Sequence, residues 1–450
     1  MTKNYFFTAI AGNGMQPLAL LLKASGANVS GSDIYFDKGV KPEVRKELED
    51  AGIKIFPEDG SGINENTDEI IINRIIPETQ KDLAKARKLN IPSVLRPKKL
   101  AEFFSNYRLV GVAGTAGKTT TTAMVGHILK KCQKDPTIVT GSEMTNYNSR
   151  LVIGKSNIIV AEIDESGEAY KSKGFYDIIS QCQPEVGIVL NVGNDHFENI
   201  EDAKAVFEDY AKNNVQKLLI KNENCKLSDN IKNQNIETVS FGTCSCAKYF
   251  ITDIKSSSNG LTFKVNNLQA QMPIIGYFNA YNATSAIAAA ANFDITSEEA
   301  IEALKDFKGT KQRLSICDNK DGVTSICDFA HTVEEIEASL SALQEIYKRV
   351  FLMYQPHGMV SHTHMKDKMP DLFNKLLRKE DKLYLMDTYL KTKEFESSKI
   401  VADKITNGEF LDKLENLKDR LPNLKEGDAV VIMGARDPEL FPFAEKVLKD

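Results

Sequence analysis

The chain has 450 residues, 42% hydrophobic and 26% charged, with a formal net charge of −5. This length suggests two to four globular domains. The acidic balance argues against a nucleic-acid surface, no apolar run is long enough to span a bilayer, and MTKNYFFTAIAGNG lacks a signal-peptide layout, so a cytoplasmic protein is expected.

The first segment, residues 1–107, alternates strand and helix. YFFTAIA reads as a buried parallel strand, PLALLLKASG as a helix and ANVSGSD as a strand. IKIFPE, DEIIINRII, the helix ETQKDLAKARKLN and IPSVLRP continue a βαβ succession of Rossmann type. Gly12 and Gly14 follow the first strand, and Asp33 ends the second, half of a dinucleotide fingerprint with Pro17 in place of the third glycine. NAD binding, UDP-type binding and a ligand-free tight turn all fit this pattern.

A second segment, residues 108–313, opens with the chain's most informative stretch, GVAGTAGKTTTTAMV. A short apolar strand runs into Gly114-Thr-Ala-Gly117-Lys118-Thr119 and an apolar helix, the layout of a phosphate cradle. Val112 stands where a strict P-loop has its first glycine. Lys118 can reach phosphates, and the Thr119 hydroxyl suits Mg²⁺. Asp164-Glu165 and Asp195-His196 close two further strands, where α/β sheets bind ligands, so Glu165 and His196 are candidate metal ligands beside the phosphates. Residues 247–275 alternate apolar and polar around SSSNG and NN, as antiparallel hairpins do. Asn279 and Asn282 open an Ala-rich helix, where one of them suits an N-cap.

The third segment, residues 314–450, reads as another α/β sheet domain, with strands VTSICDF, RVFLMYQ, KLYLMD and AVVIMG, the helix TVEEIEASLSALQEIY and a helix from His364. His331 and His357 stand at strand ends, where site residues gather; His362 and His364 follow closely, and His127 reads as structural. The seven cysteines are odd in number and scattered, and are expected as free thiols.

Taken together and in order, GNGM, VSGSD, GTAGKTTTT, AEIDES, NVGNDH, GYFNAYNA, FKGTKQR, DFAH, YQPHG and MGARD resemble the Mur ligase family over essentially the whole chain, and within it the branch that acts on UDP-N-acetylmuramate. The resemblance implies three α/β domains: an N-terminal Rossmann-like one for the UDP-sugar, a central P-loop ATPase-type one with an antiparallel edge, and a C-terminal Rossmann-like one bringing the amino acid. It implies an ATP- and Mg²⁺-dependent ligase forming an amide through an acyl phosphate, acting as monomer or homodimer in peptidoglycan precursor synthesis. By motif, Gly12, Asn13, Gly14, Met15 and Asp33 would contact the UDP moiety. Gly114, Thr115, Gly117, Lys118, Thr119 and Thr120 would bind ATP phosphates, with Thr119, Glu165 and His196 at the metal. Asn279, Asn282, Arg313 and Asp328 would line the ATP site, and His331 and His357 would face the amine, with His331 as its base.

The chain departs from the family pattern at Ala116 and Phe278, each in place of histidine, at Thr332-Val333 in place of His-Pro, and at Gly358 in place of arginine. With no arginine at 358, His357, His362, His364 and Lys366 are the nearest candidates to hold an amino acid's carboxylate. Lys212 lies near the position of a carbamylated lysine in other branches. A recycling ligase for murein peptide, a ligase for another acid and a catalytically silent nucleotide-binding module are the competing readings.

Overall fold

The computed structural model describes all residues except 1, 75, 166–177, 194–196, 198, 224–226, 228–235, 358–367, 390–396 and 450. Those residues divide into two compact units: 1–141, 149–221 and 225–239 in the first, and 142–148, 222–224 and 240–450 in the second.

The first unit holds two sheets. One contains β1 (Asn4–Phe7), β2 (Asn28–Ser32), β3 (Lys54–Phe56), β4 (Glu69–Ile72) and β5 (Ser93–Leu95), all parallel in the order β3-β2-β1-β4-β5. Its helices are α1 (Met15–Ala24), α2 (Ile34–Asp37), α3 (Pro42–Asp50), α4 (Lys81–Lys88) and α5 (Arg96–Phe104). β1 carries Phe6 and Phe7 fully buried, as expected of a strand covered on both faces. The strand order turns back at β1, so the loop between β1 and α1 lies at a switch point where such sheets take ligands.

The second sheet of this unit uses β6 (Arg108–Ala113), β7 (Thr137–Met144), β8 (Ser149–Val152), β9 (Ile158–Glu162), β10 (Val186–Val189) and β11 (Leu218–Asn222), in the order β11-β10-β6-β9-β7-β8. β6 is central, paired in parallel with β10 on one side and β9 on the other. It leads into α6 (Lys118–Lys131), whose residues from Thr119 to Leu129 are buried. The loops after β6, β9 and β10 therefore emerge side by side at the carboxyl ends of three neighbouring strands.

β12 (Glu237–Gly242) follows, and in the second unit β13 (Tyr249–Ser257), β14 (Gly260–Val265) and β15 (Leu268–Met272) form the expected hairpins. Asn266 and Asn267 both take positive φ, 49° and 69°, as a type I′ turn requires. The Ala-rich helix spans Phe278–Ala290. A six-stranded sheet follows, with β16 (Ser315–Lys320), β17 (Val323–Asp328), β18 (Arg349–Gln355), β19 (Lys382–Met386), β20 (Gly408–Leu411) and β21 (Asp428–Gly434) in the order β16-β17-β21-β18-β19-β20. Only β16 runs antiparallel to its neighbour, and β17 and β21 are buried along their whole length.

One expectation is corrected. Cys244 and Cys246 form a disulfide, whereas Cys132, Cys182, Cys317 and Cys327 are free thiols. The expected helix start at His364 lies outside the described residues, as does His362; the described helix nearest to them spans Met369–Leu376, with Pro370 in its first turn.

Candidate functional site

The phosphate loop of the first unit is built around one lysine. Gly114 takes φ of +137°, and a Cβ there would stand 3.0 Å from that of Leu190, so glycine is required both for conformation and for room. Gly117, at φ +87°, caps α6. The turn folds Lys118 back, so that Nζ donates to Gly114 O at 2.7 Å and to both oxygens of Glu165 at 3.1 Å. Only 15% of the lysine side chain and 1% of the glutamate side chain are exposed. Burial opposes the ammonium charge, but Glu165 and Asp164 outweigh it and hold the Lys118 pKa above the usual lysine value.

Thr119, buried beside it, donates its hydroxyl to Glu162 at 3.1 Å. Thr119, Glu162 and Glu165 thus bring three hard oxygen donors to the head of α6, the donor set a magnesium ion takes. Glu162 joins the residues expected from sequence. His196 lies outside the described residues, and among those described no group of three or more His, Cys, Asp or Glu forms a ready metal cage.

Asn191, which sequence reading passed over, braces the loop. Its side chain accepts from Ala116 N at 2.8 Å and donates to Ala116 O at 2.9 Å, while Gly193 N donates to the Thr115 hydroxyl at 2.8 Å. The brace uses only the backbone of residue 116, so alanine in place of histidine leaves it intact. Thr120 is buried on the next position of α6.

The glycine loop after β1 is held by charge. Asp33 is 2% exposed. It accepts from Ala11 N at 2.8 Å and from Tyr35 N at 2.9 Å, pinning the loop and capping α2 with one carboxylate. Lys41 donates to Ala11 O at 3.0 Å from beside the Tyr35 ring. Gly12, Asn13 and Gly14 form the turn, whereas the Met15 side chain is buried in the core, which leaves only its backbone for a ligand. Arg96, at the start of α5, sits over Gly14.

In the second unit, Asn279 and Asn282 are buried on the Ala-rich helix but do not cap it. Asn279 donates to Ile275 O at 2.7 Å and accepts from Asn282 at 2.9 Å, while Tyr277 occupies the N-cap position. Asp328 is equally committed: it accepts from Leu314 N, Phe329 N and the Ser339 hydroxyl, at 3.1, 3.0 and 2.5 Å. Burial pushes its carboxyl up against those hydrogen bonds. Arg313 lies 4.3 Å over the Phe329 ring.

His331 and His357 come together with ring centroids 4.9 Å apart. Glu335 organises this pair. It completes a capping box with Thr332 at the start of the helix Val333–Ile346 and stands 3.1 Å from both the backbone N and the Nδ1 of His331. Phe329 O is a second acceptor near Nδ1, at 3.2 Å, so Nδ1 carries a hydrogen and Nε2 is the ring nitrogen left to meet a ligand. Burial would raise the Glu335 pKa, but the hydrogen bond and charge of His331, with Arg313, bring it to about 2. Burial, with His331 and Arg436 adding repulsion, pushes His357 down to about 4. His357 is therefore neutral near pH 7 and cannot supply the positive charge sought for a substrate carboxylate.

Lys212 is exposed on a π-helical turn. Among the described residues no helix is long and apolar enough to cross a membrane.

Comparison with known proteins covers the chain from end to end. The family model described as Mur ligase family, catalytic domain, matches residues 4–108; Mur ligase middle domain matches 112–290; Mur ligase, glutamate ligase domain, matches 312–436. The chain is 29% identical over 463 residues to the UDP-N-acetylmuramate–L-alanine ligase of Caldicellulosiruptor saccharolyticus, covering 96% of each. It is 29% identical over 473 residues to the same-named ligase of Acetivibrio thermocellus, covering 100% of this chain and 96% of that one. Among solved structures, the UDP-N-acetylmuramate–alanine ligase of Thermotoga maritima superimposes with a TM-score of 0.77 at 24% identity, covering 99% of this chain and 98% of that one. A murein peptide ligase of Psychrobacter arcticus gives 0.66 at 21% identity, covering 99% and 97%. At these identities the structural likenesses speak for the fold.

Proposed function

The chain belongs to the Mur ligase family, and from that premise we propose that it joins L-alanine, or another small amino acid, to the lactyl carboxylate of UDP-N-acetylmuramate at the expense of ATP, in the cytoplasm. The observation that carries this reading is the setting of Lys118, folded between Gly114 O and Glu165 at the head of α6, in a chain similar along its length to ligases of that name.

A carboxylate does not react with an amine near neutral pH, because its oxygens leave poorly. In the proposed sequence a carboxylate oxygen attacks the γ-phosphorus, the bond to the β-phosphate oxygen breaks, ADP departs and an acyl phosphate forms. The amine then attacks the acyl carbon, the C–O bond to phosphate breaks, and an amide and inorganic phosphate result. Lys118 and the backbone N–H groups of residues 114–119 neutralise charge that shifts during the first transfer. Thr119, Glu162 and Glu165 would hold Mg²⁺, which neutralises phosphate charge when bound, with His196 as the family's further ligand. His331, with Nδ1–H directed at Glu335, presents Nε2 as the acceptor for the proton the amine loses.

A phosphate-release assay with UDP-N-acetylmuramate, ATP and a panel of amino acids tests the proposal. Release that needs both the UDP-sugar and a free amino acid is expected. Release with any acid, or none with this one, would reject it. A strong preference for murein tripeptide over alanine would move the assignment to a recycling ligase.

A further inference from the structure

Of the three basic residues of α5, Arg96 and Lys99 have sharply different surroundings. Lys99 is ion-paired with both Glu69 and Glu102 at 2.5 Å and lies over the Tyr5 ring. Arg96, one turn earlier, is half-buried, yet among the described residues it has neither a hydrogen-bond acceptor nor an ion-pair partner. Asp164, just beyond β9, is the charged group whose field reaches it, and burial draws its pKa down. A guanidinium presents five donors, and burying them without acceptors is costly unless an anion is to arrive.

The place of Arg96 identifies which anion. A Cβ at Gly14 would lie 3.0 Å from both Cζ and Nη1 of Arg96, so the guanidinium rests directly on the glycine turn. Gly14 has φ −95°, which any residue adopts. Its lack of a side chain therefore serves closeness rather than conformation. Arg96 also feels Asp164, whose charge acts on Lys118 as well. Arg96 thus touches the loop proposed for the UDP-sugar and shares an acidic neighbour with the lysine proposed for the transferring phosphate.

We propose that Arg96 is the residue that grips an anionic oxygen group of the acid substrate, its diphosphate or its reacting carboxylate, and that position 14 is glycine to seat that guanidinium. This rests on the reading of the acid as a UDP-linked sugar. The planar fork suits either group bidentately, whereas a lysine at 96 would hold it only as a point charge.

Calorimetry without ATP decides it, using UDP-N-acetylmuramate and UDP-N-acetylglucosamine, which shares the diphosphate and sugar but lacks the carboxylate. Arg96→Gln is expected to weaken UDP-N-acetylmuramate by about 10–100-fold and to leave ATP affinity within twofold (roughly, the loss of no contact). Arg96→Lys should recover only part of the loss. Equal weakening of both sugars assigns Arg96 to the diphosphate; weakening of the muramate alone assigns it to the carboxylate. Gly14→Ala, which keeps the arginine but removes its seat, should weaken the same ligand and stands in if Arg96→Gln does not fold. Unchanged affinity for both sugars in Arg96→Gln, or in Gly14→Ala, overturns the proposal while leaving the proposed reaction standing. Wild-type protein that binds neither sugar overturns the substrate reading, and this proposal with it.

Discussion

Asn191 hydrogen-bonds both the N–H and the C=O of Ala116, at 2.8 and 2.9 Å, so one side chain from the end of β10 fixes a whole peptide of the phosphate loop. Asn191→Ala removes both bonds, each worth about 1 kcal/mol. The loop then samples conformations that do not cradle phosphate. The expected result is an ATP KM raised about tenfold with a small change in melting temperature. A variant with wild-type KM for ATP would show that the brace does not matter for binding.

Lys118→Ala removes a charge aimed at the transferring phosphate, and a rate loss of about 10²–10³ is expected. The change also reaches the fold, because Glu165 is 1% exposed and would lose its ion-pair partner. The variant should be less stable by on the order of 3 kcal/mol at neutral pH. Its deficit should shrink as pH falls and Glu165 takes up a proton in the folded state. Adding Glu165→Gln should restore much of the stability and none of the activity. Urea midpoints for the single and double variants give the comparison, and equal midpoints at pH 7 would count against the buried pair.

Asp33→Ala should weaken UDP-sugar binding about tenfold or more, by 1.5–3 kcal/mol for a charged acceptor, and leave ATP binding alone. Its carboxylate anchors Ala11 N and caps α2 through Tyr35 N, so the effect runs through the shape of the loop. A lowered melting temperature is expected alongside, since a lost cap costs about 1 kcal/mol. Calorimetry with each nucleotide separates the two sites, and equal losses for both would reject the division of roles.

Stability should fall on acidification in two steps. His357 is pushed from 6.5 to about 4, so between those values the unfolded chain binds a proton that the folded chain refuses. Folding is therefore favoured above pH 6.5, and that contribution is lost as pH falls toward 4. Glu335 is held at about 2 against an ordinary 4.5, so its contribution is lost in turn between pH 4.5 and 2. His357→Asn should flatten the first step and leave the second. A wild-type urea midpoint that does not move between pH 6.5 and 4.5 would mean that His357 is not buried neutral.

The strands and the phosphate loop were legible because their signals are local. β9, β18 and β21 carry continuous apolar runs, and Gly117-Lys118-Thr119 follows a strand and opens a helix. The Asn266-Asn267 turn announces itself through the one residue type besides glycine that readily accepts positive φ. What sequence did not disclose is chiefly partnership across long separations. Asn191 lies 75 residues from Ala116, and nothing near it marks it as a brace. Arg96 reads as part of a strand-like IPSVLRP, with Pro97 masking the start of α5. Asn279 suits a cap by residue type, yet tertiary packing draws it to Ile275 O instead.

Glu335 meets His331 and the start of the following helix with the same carboxylate. An engineer who wished to re-aim His331 toward a bulkier amine could not do so by altering its partner, since the helix would fray in the same stroke. The two properties are mechanically one, and laboratory evolution at position 335 should return few survivors whichever amine is selected for. Variation that retunes the histidine pair has to enter from the other ring, at His357.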